Sequence, residues 1–357
     1  MLSVPSSSGA PSLATTRLAF PSDCDVVVPL FQRQWSTRAV LEGLAKRYAP
    51  RTIHVIAPAA TAEQIEAAAA AECWEAPQLT THAEETFFVE RFNLTKDDLG
   101  AILNLEKSLY APGWFYQQLL KLGAEHGIAS LSDDYLIWDA DLLAVDAWPA
   151  VTEDGRLAYA FLQDNSRGNA KIVAAWEKWI RTVLGIEPAV DPAGQSTFVP
   201  HHMWFRRAHL NSLRKRIGDY YADTETPWPA LMMRSANDFG TFSEFWLYAS
   251  WSEAKHPESA PRPLPYTAYG ATTERFFEDG TAPFATALRE CLGLQMDEAF
   301  SPGYDEVLSF VEAFYAEAGR PIPSSLSFEA SPRHRLKGRE NMHVEELRSP
   351  WHTAAAE

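Results

Sequence analysis

Residues Asp23–Pro58 read DCDVVVPLFQRQWSTRAVLEGLAKRYAPRTIHVIAP, and the fold turns on this stretch. Its first part, DCDVVVPL (Asp23–Leu30), is a short apolar run without alternation. That is the pattern of a strand buried on both faces of a parallel sheet. The next part, STRAVLEGLAKRY, opens on Ser36, a residue type suited to an N-cap. It places Val40, Leu41, Leu44 and Tyr48 on one helical stripe. TIHVIAP (Thr52–Pro58) is a second strand by the same rule as the first. The segment that follows, TAEQIEAAAAAEC, has Thr61 and Gln64 at capping-box spacing and predicts a second helix. Strand, helix, strand, helix at the start of a chain predicts an α/β doubly wound sheet.

Working outward, THAEETFF near Thr81 supplies a third strand and TKDDLGAILNL, from Thr95, a short helix. GWFYQQLLKLGAEHG (Gly113–Gly127) is a helix bounded by glycines, and YLIW (Tyr135–Trp138) is the next strand. NAKIVAAWEKWIRTVLG puts Ile172, Val173, Trp176, Trp179, Ile180 and Val183 on one helical face, with Gly185 after its end. STFVPHHMWF (Ser196–Phe205) predicts a strand with an irregularity at Pro200, and TFSEFWLYASW (Thr241–Trp251) a helix. HPESAPRPLP breaks the pattern, and helices around TAPFATALREC and YDEVLSFVEAFYAEAG close the ordered part. Residues 1–22 are rich in Ser, Pro and Ala with one arginine and no acid, which predicts a disordered leader or a Ser-rich transit peptide. Residues 331–357 predict a flexible tail, leaving 23–330 as a single domain.

The chain has 357 residues, 46% of them hydrophobic, enough for a large core. A formal net charge of −16 argues against nucleic acid as partner, since phosphate backbones demand a basic surface. Cys24, Cys73 and Cys291 are odd in number and widely spaced, which supports neither a disulfide framework nor a zinc knuckle. No apolar run approaches the ~18 residues of a membrane helix, so no integral membrane segment is expected. Cytoplasmic residence is expected ahead of an organelle, the alternative that the leader leaves open.

The functional signal lies in YLIWDADLLAVD (Tyr135–Asp146). Asp139 and Asp141 follow an apolar strand, at the strand end where open α/β sheets bind ligands. Two residues apart on a strand, they would point to the same side and repel. A divalent cation removes that conflict, and hard oxygen ligands suit Mg²⁺ or Mn²⁺ together with phosphate oxygens. The bland alternative is a pair of solvated strand-end caps.

With its neighbours, this segment resembles the Asp-x-Asp region of glycosyltransferases of the GT-A fold. Gly113-Trp114-x-x-Gln117-Gln118-x-x-Lys121, FVPHHMWF and FSEFWLY follow the same order as in the DUF6492 family, known mainly as a domain of unknown function. The resemblance covers roughly residues 23 to 260. It implies a GT-A-like, Rossmann-like mixed sheet flanked by helices, with additional C-terminal helices. It also implies a nucleotide-binding half at about 23–146 and an acceptor half at about 147–330. The implied activity is metal-dependent transfer of a sugar from a nucleoside-diphosphate sugar to an unknown glycan or small-molecule acceptor. Asp139 and Asp141 would hold Mn²⁺ or Mg²⁺, with His256 as a third ligand. Pro29, Leu30 and Phe31 would cradle the nucleotide, Arg33 and Lys121 would reach its phosphates, and Trp114, Gln117 and Gln118 would line the donor. His201, His202 and Glu244 would face the acceptor.

Glu244 has two readings. An acid in the first turn of a helix is favoured by the macrodipole alone. In an inverting transfer it would instead be the general base for the acceptor hydroxyl. Two other function classes stand beside the transferase. LIWDADLL also resembles the first motif of haloacid-dehalogenase-type phosphatases, where Asp139 would be the nucleophile. Against that, a strand-helix-strand-helix unit precedes the motif. The third class is a non-catalytic sugar-nucleotide-binding protein on the same scaffold.

Overall fold

Asp25–Pro29 forms the first strand, β1, and each of its residues is buried. The computed structural model describes residues 20–147, 149–161, 170–190, 201–265, 273–276, 278–293 and 301–328. The leader before residue 20, the tail after 328 and the stretch around Pro200 lie outside the described residues. The chain continues through α1 (Thr37–Tyr48), β2 (Ile53–Ala57), α2 (Ala59–Ala71) and β3 (Leu79–Ala83). Next come α3 (Val89–Phe92), α4 (Lys96–Ile102), α5 (Pro112–Leu122), β4 (Asp134–Trp138) and β5 (Leu142–Ala144). The second half holds β6 (Ala158–Phe161), α6 (Ala170–Trp179), β7 (His202–Arg206), α7 (Arg207–Tyr221), α8 (Trp228–Phe239) and α9 (Glu244–Lys255). The last elements are β8 (Arg262–Pro265), β9 (Thr273–Phe276), α10 (Glu278–Cys291), α11 (Tyr304–Glu317) and β10 (Ser325–Phe328).

The main sheet has the order β3-β2-β1-β4-β7. β1 runs parallel to β2 and β4, β2 parallel to β3, and β7 antiparallel to β4. This is the doubly wound mixed sheet expected. The chain moves outward from β1 through β2 to β3, then returns to β4 on the other side of β1. That reversal opens a crevice beyond the carboxyl ends of β1 and β4, the usual ligand position in such sheets. A second sheet, β5-β10-β9, joins the strand after the Asp-x-Asp to the end of the described chain.

Two helix starts differ from the expectation. Ser36 precedes α1 but its hydroxyl caps nothing; the Thr37 hydroxyl instead accepts the Gln34 N–H at 2.8 Å. α2 begins three residues earlier than the Thr61–Gln64 spacing predicts, behind Pro58, whose fixed φ suits a helix entry. Thr61 thus lies in the first turn, and its hydroxyl donates to the Phe31 carbonyl at 3.4 Å. By contrast, Thr95 and Asp98 form a full capping box at α4. α6 ends in a π-helical turn, Ile180–Leu184, closed by Gly185 at φ +69.

α11 is tied to the first layer through Tyr304. Its backbone N–H donates to Glu42 Oε2 at 2.7 Å, its hydroxyl donates to the Ala144 carbonyl at 2.8 Å, and Arg47 Nε donates to that hydroxyl at 2.7 Å. The ring fits only because residue 43 is glycine: a Cβ there would stand 2.7 Å from it.

Candidate functional site

β4 ends on the buried Trp138, and a tight turn follows. The Leu142 N–H donates to the Asp139 carbonyl at 3.0 Å, and the Trp138 indole N–H donates to the Leu142 carbonyl at 2.7 Å. Asp139 and Asp141 therefore sit in the β4–β5 turn, not on the strand. The turn, and not strand alternation, brings their carboxylates to one place. From the other side β10 fixes the same turn, since the Phe328 N–H donates to the Asp141 carbonyl at 2.8 Å.

The third member is His201. Its carbonyl accepts the Asp139 N–H at 2.8 Å, and its Nδ1 lies 3.1 Å from Asp139 Oδ2. The residue adopts φ +61, an uncommon conformation for a bulky non-glycine side chain. Backbone strain of this kind concentrates at functional sites. One potential ligand atom from each of Asp139, Asp141 and His201 falls within 4.8 Å of the others, and all three residues are half-buried. Two carboxylate oxygens and an imidazole fit Mn²⁺ or Mg²⁺ better than a soft-metal site.

Lys121, near the end of α5, is buried between two acids. Its Nζ is 2.6 Å from Asp139 Oδ1 and 2.5 Å from Glu244 Oε1. Burial works to lower the Lys121 pKa, but the two carboxylates outweigh it and the net shift is upward. Burial likewise pushes Asp139 up, and Lys121 and His201 together bring it below the usual carboxylate range. The Lys121 ammonium also stands 4.4 Å from the Phe245 ring centroid. Among the described residues, Asp139, Asp141, Glu244 and Lys121 together carry a formal charge of −2 when His201 is neutral, the charge that one divalent cation would balance. Glu244 opens α9, with Ser243 as N-cap, and its backbone N–H donates to Gln118 Oε1 at 3.0 Å.

The other expected site residues divide into two groups. Pro29 and Leu30 are buried at the end of β1, where the Leu30 N–H donates to the Ile56 carbonyl at 2.8 Å. Phe31 is 68% exposed, so its ring is at the surface and not in the core. Trp114 stacks on Tyr110 with centroids 3.8 Å apart, and Gln117 is half-buried beside it on α5. Arg33 turns to α2, where it pairs with Glu72 at 2.9 Å and lies over Trp74.

Two expectations are corrected. His256 does not join the aspartates: it follows the last turn of α9, at the opposite end of that helix from Glu244. There it bonds Ser212 Oγ at 2.7 Å and stacks on His209 at 4.2 Å. His202, expected on the acceptor side, is closed off from solvent. It is buried in β7 with its ring 5.1 Å from that of Trp138. His201 precedes β7 in a left-handed conformation, and that backbone turn, not strand alternation, sets its ring against Asp139.

Sequence reasoning missed Lys96. Its ammonium lies over both Phe31 and Tyr116, at 5.6 and 5.2 Å from the ring centroids, and it pairs with Glu84. Lys96 and Tyr116 line a cleft of about 400 Å³ with Asp97, Leu99, Pro112 and Met233. The short helix expected from Thr95 carries this lysine but gives no sign of what it would face.

Residues 27–259 match the family of unknown function DUF6492. The chain matches no curated protein. Among solved structures, the apo form of mouse xyloside xylosyltransferase 1 is similar over 87% of this chain and 99% of that one, at 13% identity and a TM-score of 0.41.

Proposed function

The chain belongs to the DUF6492 family of unknown function, and on that premise we propose that it is a metal-dependent glycosyltransferase using a nucleoside-diphosphate sugar. The observation that carries this reading is the Asp139–Asp141–His201 cluster, set at the reversal of the sheet and backed by Lys121 and Glu244. Mn²⁺ or Mg²⁺ held there would supply charge neutralisation at the departing diphosphate. Pro29 and Leu30 form the floor of the crevice, and Phe31 offers a ring on which a nucleobase stacks. Lys96, beside that ring, contributes positive charge over the nucleotide. Lys121 is not free to bind phosphate as a point charge, because both its neighbours are carboxylates; it holds Asp139 and Glu244 in register instead.

Glu244 is the acid on the acceptor side. In an inverting transfer the acceptor oxygen attacks the anomeric carbon and its proton passes to Glu244. The bond from that carbon to the diphosphate breaks, and the electron pair leaves with the diphosphate. In a retaining transfer Glu244 would position the acceptor. The acceptor is a glycan or small molecule, in keeping with the acidic chain. Among the described residues no helix is long and apolar enough to cross a membrane.

Calorimetry with UDP, GDP and their sugar conjugates, in Mn²⁺ or in EDTA, tests the reading. Binding should require the metal, and Asp139→Asn, Asp141→Asn or His201→Ala should weaken it roughly a hundredfold or more. Hydrolysis of p-nitrophenyl phosphate by the wild type but not by Asp139→Asn, with no response to any nucleotide, would instead establish the phosphatase.

A further inference from the structure

We infer that Gln118 reads the transferred sugar, by donating its side-chain amide hydrogens to an oxygen of that sugar and not to the nucleotide. This rests on the transferase reading and adds to it the residue that distinguishes a sugar nucleotide from the bare diphosphate.

Gln118 is 2% exposed, on the buried face of α5 and one turn before Lys121. Its Oε1 is fixed by the Glu244 N–H at 3.0 Å, which settles the orientation of the amide. Nε2 then carries two hydrogens, and it has no hydrogen-bond partner among the described residues. A buried amide nitrogen with both donors unused is rare, because the group gives up water without compensation. Gln118 is joined to the cluster through α9: its Oε1 holds the Glu244 backbone N–H, and Lys121 links the Glu244 carboxylate to Asp139.

The chemistry of this donor selects its ligand. Two N–H groups want an acceptor oxygen, and a sugar hydroxyl supplies one at neutral charge. The Asp-x-Asp turn occupies the side of the site that would meet the diphosphate. Gln118 instead reaches from α5 to the start of α9, beside the acceptor-side acid, where a sugar bridging donor and acceptor would lie. Sites built to hydrogen-bond a substrate group reject ligands that lack it, because the unpaired donor remains buried. Gln118→Met keeps the length of the side chain and removes both donors.

The test compares UDP with UDP-glucose, and GDP with GDP-mannose, by calorimetry in Mn²⁺. Gln118→Met should lose roughly tenfold or more in affinity for whichever sugar nucleotide the wild type binds, and less than about twofold for the matching diphosphate. Equal losses on both ligands, or no loss on either, would overturn the inference and leave Gln118 as a brace for α9. Should Gln118→Met fail to fold, Gln118→Glu still accepts the Glu244 N–H while losing the donors. A wild-type ratio of sugar nucleotide to diphosphate affinity in that variant overturns the inference too. If the wild type itself binds no diphosphate with metal, the transferase reading falls, and this inference falls with it.

Discussion

Replacing Lys121 with methionine removes the ammonium that bridges Asp139 and Glu244. The methionine keeps most of the stem volume, so the change is chiefly electrostatic. The lysine side chain is 5% exposed, Glu244 7% and Asp139 18%, so solvent can screen little of what is lost. Removing one partner of a buried ion pair leaves uncompensated charge and costs about 3–5 kcal/mol. At about 2.1 cal/mol/K per residue over roughly 300 ordered residues, a loss near 4 kcal/mol lowers Tm by about 6 °C. Differential scanning calorimetry in EDTA reads this directly. Adding Mn²⁺ should then stabilise Lys121→Met by more degrees than it stabilises the wild type, because a cation in the cluster replaces the missing charge. Glu244→Gln in the same background should recover part of the loss, with a coupling of about 1–3 kcal/mol between the two positions. A fall of less than about 2 °C in EDTA would refute the reasoning, since two buried carboxylates would then be tolerated without their shared counter-charge.

Gly43→Ala should destabilise the fold by about 1–3 kcal/mol, read as a lower Tm, because the new Cβ meets the Tyr304 ring at 2.7 Å where neither helix can yield easily. His209 gives a pH prediction. Burial, with neighbouring His256 and Arg206, pushes its pKa down from 6.5 to about 4. Above 6.5 both folded and unfolded states are neutral at this site; between 6.5 and 4 only the unfolded state takes the proton. Stability therefore falls as pH drops through that window, and His209→Gln should lose less Tm between pH 7.5 and 4.5 than the wild type, by the equivalent of about 1–3 kcal/mol. Parallel Tm-versus-pH curves for the two proteins would show that His209 does not titrate in this way.

The legible part of the fold is the part with period and length. Val26–Val28 and Ile53–Ala57 read as strands because both faces of a parallel sheet are covered, which leaves continuous apolar runs. α7 and α8 were not anticipated. The buried Leu210, Leu213 and Ile217 of α7 do carry a helical spacing, but basic residues lie between them. α8 opens on Trp228 and Pro229, and a proline within the first turn is permitted where one further inside is not. The strands β5, β6, β8, β9 and β10 are three or four residues long, too short for any period to show. β8 reads RPLP and holds its place by pairing with β6 in a two-stranded sheet, where an edge tolerates proline. In the site, the sequence brings Asp139 and Asp141 to the end of β4 but shows neither the turn that holds them nor the groups that face them. The strip Trp114, Gln118, Lys121 is evident from helical spacing, which says which side chains share a face. It does not say that the facing groups are acids. His256 and His201 are equally suitable imidazoles by composition, and only the pairing of β7 with β4 brings one of them to Asp139.

The cluster is assembled against its own electrostatics, and that is the best indication of what it is for. Two carboxylates about 5 Å apart repel by about 3 kcal/mol at the effective dielectric of a partly buried site. His201 adds a left-handed backbone at φ +61. The fold could relax both by letting the turn swing outward, yet it blocks that motion at three points. The His201 carbonyl holds the Asp139 N–H, the Phe328 N–H holds the Asp141 carbonyl, and the Trp138 indole closes the turn on Leu142. Two of these bonds come from segments remote in sequence, so the aspartates are fixed only when β7 and β10 have docked. Strand-end caps need no such restraint, since solvated aspartates hold their own turns by local bonds. A turn held rigid in a repulsive arrangement is preorganised for a charge that relieves it. Lys121 offsets one of the two negative charges of Asp139 and Glu244, and a divalent cation beside Asp139 and Asp141 would offset more.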